Sequence, residues 1–231
     1  MKSGKYKDAT ITALGHDGFI VDYPERPLRF AFDPFDINGE EPVDYILVSH
    51  LHYDHCDPAS IRKLLKPTTK IIAPPCCKNE LAEFADQIEF ASDKDKQSTK
   101  DFTYWTVPAY NLNKYRTPTE VFHPKELGGV GFVVELDSTT GGTKTRYFHA
   151  GDTDNIPEMA ELKKIDVAFL PISGTFVMTL DEAMQAAEVI QPKVVVPMHF
   201  GKLLGSVAEA TRFQNLLQNK VPVMVLSTVE Y

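Results

Sequence analysis

An α/β fold of two sheets packed face to face, with helices outside, is predicted for this chain on three observations. Short apolar runs rich in β-branched and aromatic residues recur from end to end, the pattern of half-buried strands. In each half these runs alternate later with helical segments, an order that requires sheets covered by helices. Hydrophobic residues make up 43% of the 231 positions, enough to fill a large interior. No low-complexity tract, short-period repeat or Pro/Gly linker divides the sequence, so residues 1–231 are expected to form a single domain.

The elements follow in order. Residues 10–14, 19–22, 28–32 and 45–48 read as strands, the early ones antiparallel. Asp57-Pro58 supplies an N-cap and a first-turn proline for a helix over 60–66, which stops before Pro67. A strand at 70–73, a helix at 79–85 and a strand at 87–91 continue the alternation. A charged stretch, 92–101, precedes strands at 102–108, 131–136 and 146–150, and the Thr/Gly-rich segment 138–142 reads as a hairpin turn. A helix over 157–164 and a strand at 167–171 lead to Thr179-Leu180-Asp181-Glu182, which has the form of a capping box. A strand at 194–197, a helix over 207–218 and a strand at 221–226 complete the series.

Charge and cysteine usage narrow the function. Asp and Glu number 32 against 24 Lys and Arg, a formal charge of −8, so no general attraction to nucleic acid or to anionic membranes is expected. Residues 1–10 lack the apolar stretch of a signal peptide, and no later run approaches the roughly 20 apolar residues of a membrane span. Three cysteines, two of them adjacent at Cys76 and Cys77, suit a reducing compartment. A cytoplasmic protein is expected. Cys56, although beside His55, reads as a small apolar filler.

The chemistry concentrates after the apolar run Tyr45-Ile46-Leu47-Val48, where Ser49-His50-Leu51-His52-Tyr53-Asp54-His55 places three histidines and an aspartate together. Residues two apart on extended backbone share a face, so His50 and His52 can address one metal ion, while Asp54 and His55 in the following turn can address a neighbouring point. The spacing differs from the helical His-x-x-x-His pair of zinc proteases and implies a loop site.

This segment resembles the His-x-His-x-Asp-His signature of the metallo-β-lactamase superfamily. Phe148-His149-Ala150-Gly151-Asp152-Thr153 is similar to its bridging-aspartate motif, and Pro197-Met198-His199-Phe200-Gly201 to its final histidine motif, in the same order. The resemblance implies a four-layer αβ/βα sandwich and a metal-dependent hydrolase. It points most to the small hydrolases grouped with ascorbate-6-phosphate lactonase and the N-acylphosphatidylethanolamine phospholipase D-like branch. Carried over by residue, it implies His50 and His52 on a first ion, Asp54, His55 and His199 on a second, and Asp152 between the two. Asp33, in Phe32-Asp33-Pro34, would support the metal loop by hydrogen bonds. The family's usual third histidine of the first site has no counterpart in Val107-Pro108-Ala109-Tyr110-Asn111; His123, in the long loop 111–128, is the candidate replacement. His16, in the turn Gly15-His16-Asp17-Gly18, is placed near the cleft as a substrate contact or a supporting residue, and His149 is left out of the ligand set.

Two zinc ions are the expected cofactor, with manganese or iron also compatible with a His and Asp shell. They would supply hydroxide to an electrophilic carbon or phosphorus, with Asp54 orienting that water or carrying its proton. The resemblance implies a phosphodiester, a lactone or a phosphorylated small molecule as substrate, and Lys114, Arg116 and Lys125 in the His123 loop could attract its anionic group. The alternatives are an RNA-processing nuclease of the same fold, disfavoured by the acidic balance, a catalytically silent metal-binding module, and oxidation on a single iron.

Overall fold

Apolar runs, some alternating with polar residues and some buried throughout, build most of the thirteen strands among the described residues, 2–137 and 143–228 of a computed structural model. The hairpin turn expected at 138–142 lies outside them. The first sheet has seven strands in sequence order: β1 (Ser3–Tyr6), β2 (Ala9–Gly15), β3 (Gly18–Tyr23), β4 (Leu28–Phe32), β5 (Tyr45–Leu47), β6 (Lys70–Ala73) and β7 (Ile88–Phe90). Pairing is antiparallel from β1 to β4 and parallel from β4 to β7. The second sheet contains β8 (Lys96–Ser98), β9 (Thr103–Pro108), β10 (Val130–Asp137), β11 (Lys144–His149), β12 (Val167–Pro171) and β13 (Val194–Met198), again in sequence order. It too begins antiparallel, from β8 to β11, and ends parallel, from β11 to β13.

Aromatic side chains from both sheets fill the space between them. Phe19 meets Phe169 with ring centroids 4.5 Å apart, Phe30 meets Tyr147 at 5.9 Å, and the Tyr23 and Tyr147 hydroxyls share a buried 2.8 Å hydrogen bond. The outer face of the first sheet, through Ile20, Ile46 and Ile71, is covered by Ile61 and Leu64 of α1 (Pro58–Leu64). α2 (Leu180–Ile190) lies against β12 and against α3 (Val207–Leu217). Since Phe169 of β12 points toward the first sheet, strand alternation turns Ala168 and Leu170 outward toward α2. The result is the expected four-layer αβ/βα sandwich. Both expected caps form: Asp57 accepts from the Ala59 N–H, and Thr179 and Glu182 complete a reciprocal box at α2.

Five local expectations are corrected. β1 and β8 are strands where polar or charged sequence hid them; both are sheet edges, where polar side chains discourage pairing with another chain. The helix expected at 79–85 is a set of turns with a 3-10 segment, Ala82–Phe84; Leu81 and Phe84 are both buried, and three-residue spacing suits that tighter coil. The helix over 157–164 shortens to a 3-10 segment, Pro157–Glu161. The strand at 221–226 reduces to a single bridge between Val195 and Val223, and Pro222 offers no N–H to a ladder.

The inter-sheet aromatic layer lies close-packed beneath the loops. Replacing the fully buried Phe169 by Ala is expected to destabilise the protein by about 3–5 kcal/mol, read as a lower urea midpoint at unchanged slope.

Candidate metal centre

Within the first sheet the carboxyl ends of β2, β4 and β5 point one way, and within the second sheet so do those of β9, β11 and β13, because each antiparallel reversal between them is matched by a second. The segments leaving these ends carry every side chain of the candidate site. Two backbone hydrogen bonds stitch the sheets together here, from Val130 N–H to Ser49 O (2.9 Å) and from His199 N–H to His16 O (3.2 Å). Gly151 lies at the same seam with φ +62°; a Cβ there would sit 3.0 Å from that of Ser49, so the chain carrying Asp152 approaches the His50 loop closely only without a side chain.

The first group of donors is made of imidazoles. His50 Nε2 and His123 Nε2 each lie 3.0 Å from His52 Nδ1. Nitrogens around one ion with bonds of about 2.0–2.1 Å in a tetrahedral set would stand roughly 3.3 Å apart, so this convergence is close to a ligand arrangement. The structure therefore brings His123 together with His50 and His52. Asn111 explains how. Its Oδ1 accepts from the His123 N–H (2.9 Å) and lies 3.0 Å from His123 Nδ1, so that Nδ1 donates and Nε2 keeps its lone pair for the cluster. Asp154 fixes the loop by accepting from the Leu112 and Asn113 N–H groups and from Lys114.

That anchoring corrects part of the expectation for basic residues. Lys114 is buried and tied to Glu182 and Asp154, and Lys125 pairs with Glu158 and lies over the Tyr110 ring. Both serve the loop's own structure. Arg116 is exposed and its guanidinium has no ion pair among the described residues.

The second group mixes imidazoles and carboxylates. Asp152 Oδ1 is 3.3 Å from His55 Nε2, and its Oδ2 is 3.4 Å from His199 Nε2 and 3.3 Å from His123 Nε2. Asp152 thus stands between the two groups. Asp54 Oδ2 is 3.1 Å from His16 Nε2, and Asp17, the residue after His16, has Oδ2 3.3 Å from His55 Nε2. His16, Asp54, His55 and His199 converge, as do Asp17, His55, Asp152 and His199. Outer residues fix the rings: Asp33 Oδ2 accepts from His55 Nδ1 (2.8 Å) and from Ser49 Oγ (2.6 Å), its Oδ1 accepts from Ser49 N–H (2.7 Å), and Ser173 Oγ meets His199 Nδ1 at 2.7 Å. His149 lies outside both groups, stacked on Phe32 at 4.9 Å, with Nε2 bonded to the Asp17 carbonyl.

Electrostatics divides the histidines. Burial, reinforced by neighbouring rings, holds His50 and His52 below the usual imidazole range and pushes His123 down to about 4. These rings are neutral near pH 7, the state in which nitrogen binds a cation. At His55 and His199 burial works in the same sense, but Asp152 outweighs it, with help from Asp33 and Asp17 respectively. His55 lies well above the usual range and His199 is pushed up to about 9. Burial would raise Asp152, yet His199 and His55 hold it well below the carboxylate range. Positive charge is therefore favoured in the space these side chains enclose.

The donor set fits divalent metal. His55 Nε2, His199 Nε2, Asp152 Oδ1 and both Asp17 oxygens are buried and take part in no hydrogen bond. Ionised groups so placed cost several kcal/mol unless a counter-charge faces them. Sequence reasoning missed Asp17 and the orienting roles of Asn111, Asp154 and Ser173. The one available signal was two ionisable residues held between the glycines of Gly15-His16-Asp17-Gly18.

Asp33 should matter most to the loop. Asp33→Ala removes three acceptor contacts from buried groups and is expected to cost about 3–5 kcal/mol in metal-free protein, whereas Asp33→Asn, which keeps one acceptor oxygen, should cost less; denaturant melts of both variants check the order.

Known proteins resemble this chain in sequence and fold. Residues 10–199 match the β-lactamase superfamily domain. A UPF0173 metal-dependent hydrolase of Nanoarchaeum equitans is 34% identical over 227 residues, covering 95% of this chain and 97% of that protein. The solved structure of a protein from Parabacteroides distasonis, named as a metal-dependent hydrolase, aligns at a TM-score of 0.81 with 28% identity and 97% of each chain covered. CmlA, a diiron β-hydroxylase from Streptomyces venezuelae, shares the fold at a TM-score of 0.73 and 12% identity, over 96% of this chain and 53% of that one. Because the matched span runs from before His16 to His199 and so contains every side chain of the centre, the chain belongs to the β-lactamase superfamily, among its metal-dependent hydrolases of the UPF0173 type.

Proposed function

We propose that the protein hydrolyses a small anionic ester or lactone, a phosphodiester or phosphorylated compound included, at a centre of two divalent ions. The observation that carries this reading is the position of Asp152, within 3.4 Å of imidazole nitrogens from both groups. His50, His52 and His123 would hold the first ion, where three imidazoles suit zinc. Asp54, His55 and His199 would hold the second, with Asp152 shared. Such ions supply an acidified water and a positive charge for the substrate's oxygen.

The chain's own residues do the rest. Asp54 is partly open to solvent, and although burial raises its proton affinity, the hydrogen bond from His16 and the charge of His55 hold it below the carboxylate range. It is ionised near neutrality and can take a proton from the attacking water. His16, locked at 3.1 Å, fixes which way that carboxylate faces. Arg116, exposed on the His123 loop and close enough to lower the proton affinity of His52, is the residue suited to an anionic substituent. Screening metal-loaded protein against phosphodiesters, phosphorylated sugars and lactones tests the reading; turnover of none of them would favour a silent metal-binding module.

Two variants separate binding from chemistry. His123→Ala is expected to weaken the first ion by roughly 10- to 100-fold while leaving the second in place, as followed by calorimetric titration of stripped protein. Two unaltered binding steps with only a raised KM would make His123 a substrate-loop residue instead. Asp54→Asn should keep at least one ion yet lower kcat by about 10²- to 10⁴-fold; full turnover would show that the carboxylate has no chemical role.

A further inference from the structure

The turn between β2 and β3 carries a group that the proposed ligand set leaves unused. Asp17 is fully buried, and neither of its carboxylate oxygens accepts a hydrogen bond. Its Oδ2 lies 3.3 Å from His55 Nε2 and 3.9 Å from His199 Nε2, and these three atoms fall within 4.8 Å of one another and of an Asp152 oxygen. Donors sharing one ion at bonds of about 2.0–2.2 Å stand roughly 3–4.4 Å apart, so Asp17 meets the distance requirement as well as Asp152 does.

The backbone aims this carboxylate. His16 adopts a left-handed conformation at φ +52°, which turns the next residue inward. From the opposite sheet, His199 N–H donates to the His16 carbonyl (3.2 Å) and His149 Nε2 donates to the Asp17 carbonyl (2.9 Å). The turn is thus held at two points from across the seam. The nearest alternative partner, His16 Nε2 at 3.4 Å, already faces Asp54 at the shorter distance of 3.1 Å. A buried carboxylate held in place, without a hydrogen bond, and directed at two imidazoles whose remaining nitrogens are also unpartnered has the surroundings of a metal ligand.

We infer that Asp17 is a direct ligand of the second ion, adding a carboxylate beside Asp152, His55 and His199 and giving that site a greater relative preference for manganese than the all-imidazole first site has. The inference rests on the two-ion reading above. Its chemical basis is that carboxylate oxygens suit manganese, whereas imidazole suits zinc. Asp17 is then a binding residue that sets which ion occupies the site next to Asp54, and through it how strongly water is polarised there.

Titration of metal-stripped wild type and Asp17→Asn with Zn²⁺ and with Mn²⁺, alongside visible spectra of the Co²⁺ forms, tests this without any substrate. Wild type should bind two ions. Asp17→Asn should bind the first unchanged and the second at least 100-fold more weakly, with the manganese-to-zinc affinity ratio of that step lowered tenfold or more. The absorption of the second cobalt equivalent should strengthen as its coordination number falls. If Asp17→Asn does not fold by circular dichroism, Asp17→Ser, whose hydroxyl falls short of the ion, takes its place in the same titrations. Two ions bound by the variant with unchanged affinities and spectrum would overturn the role of Asp17 while leaving the two-ion centre standing. An unchanged manganese-to-zinc ratio would overturn its part in choosing the ion. One ion only in wild type would overturn the two-ion reading and this inference together.

Discussion

A carboxylate buried between two sheets must be faced by positive charge, and the organisation of this protein follows from meeting that requirement three times at one place. Asp17, Asp33 and Asp152 are all buried within reach of His55, which touches each of them at 2.8–3.3 Å. His55 cannot serve three carboxylates alone. His199 lies beside Asp152 as well, and the region remains one where protons or metal ions are strongly favoured.

The strand order makes such a convergence possible. Each sheet passes from antiparallel to parallel pairing, so strand ends from distant parts of the chain arrive at one rim, and the seam is closed by backbone hydrogen bonds rather than by loops alone. Beneath it the inter-sheet aromatic layer keeps the rim from shearing, because close-packed rings leave little room for a sliding motion. The one donor supplied by a long loop, His123, is held by a chain of polar contacts from Asp154 through Asn111. A histidine on a loop thereby acquires the fixed orientation that the other donors take from strand ends.

Sequence legibility followed the range of the forces involved. The strands β2 to β6, the capped helices α1 and α2 and the His50–His55 cluster were readable because apolar alternation, capping chemistry and ligand spacing are local signals. β8 was hidden because an edge strand takes its identity from its neighbour β9, and its own residues are polar and exposed. His123 could be named as a candidate but its placement could not, since that depends on Asn111 and Asp154, the latter more than thirty residues further along. Lys114 read as a substrate contact because a lysine in a long loop carries no sequence mark of its partners, Glu182 and Asp154. Asp17 was marked only by its place between two glycines, because burial at a tight turn is imposed by the opposite sheet.

Backbone strain shows what the centre requires. His16, Asp33 and His199 all occupy left-handed conformations, at φ +52°, +38° and +60°, where side-chain-bearing residues cost of order 1–3 kcal/mol each. Glycine would remove that cost at every one of the three positions, as it does at Gly151 nearby. It would also remove the ring facing Asp54, the carboxylate under Ser49 and His55, and the imidazole beside Asp152. Three strained residues clustered around one cleft are thus offset by the hydrogen bonds and buried charges they serve, and the same geometry that makes each unfavourable as backbone turns its side chain from the strand end into the space between the sheets.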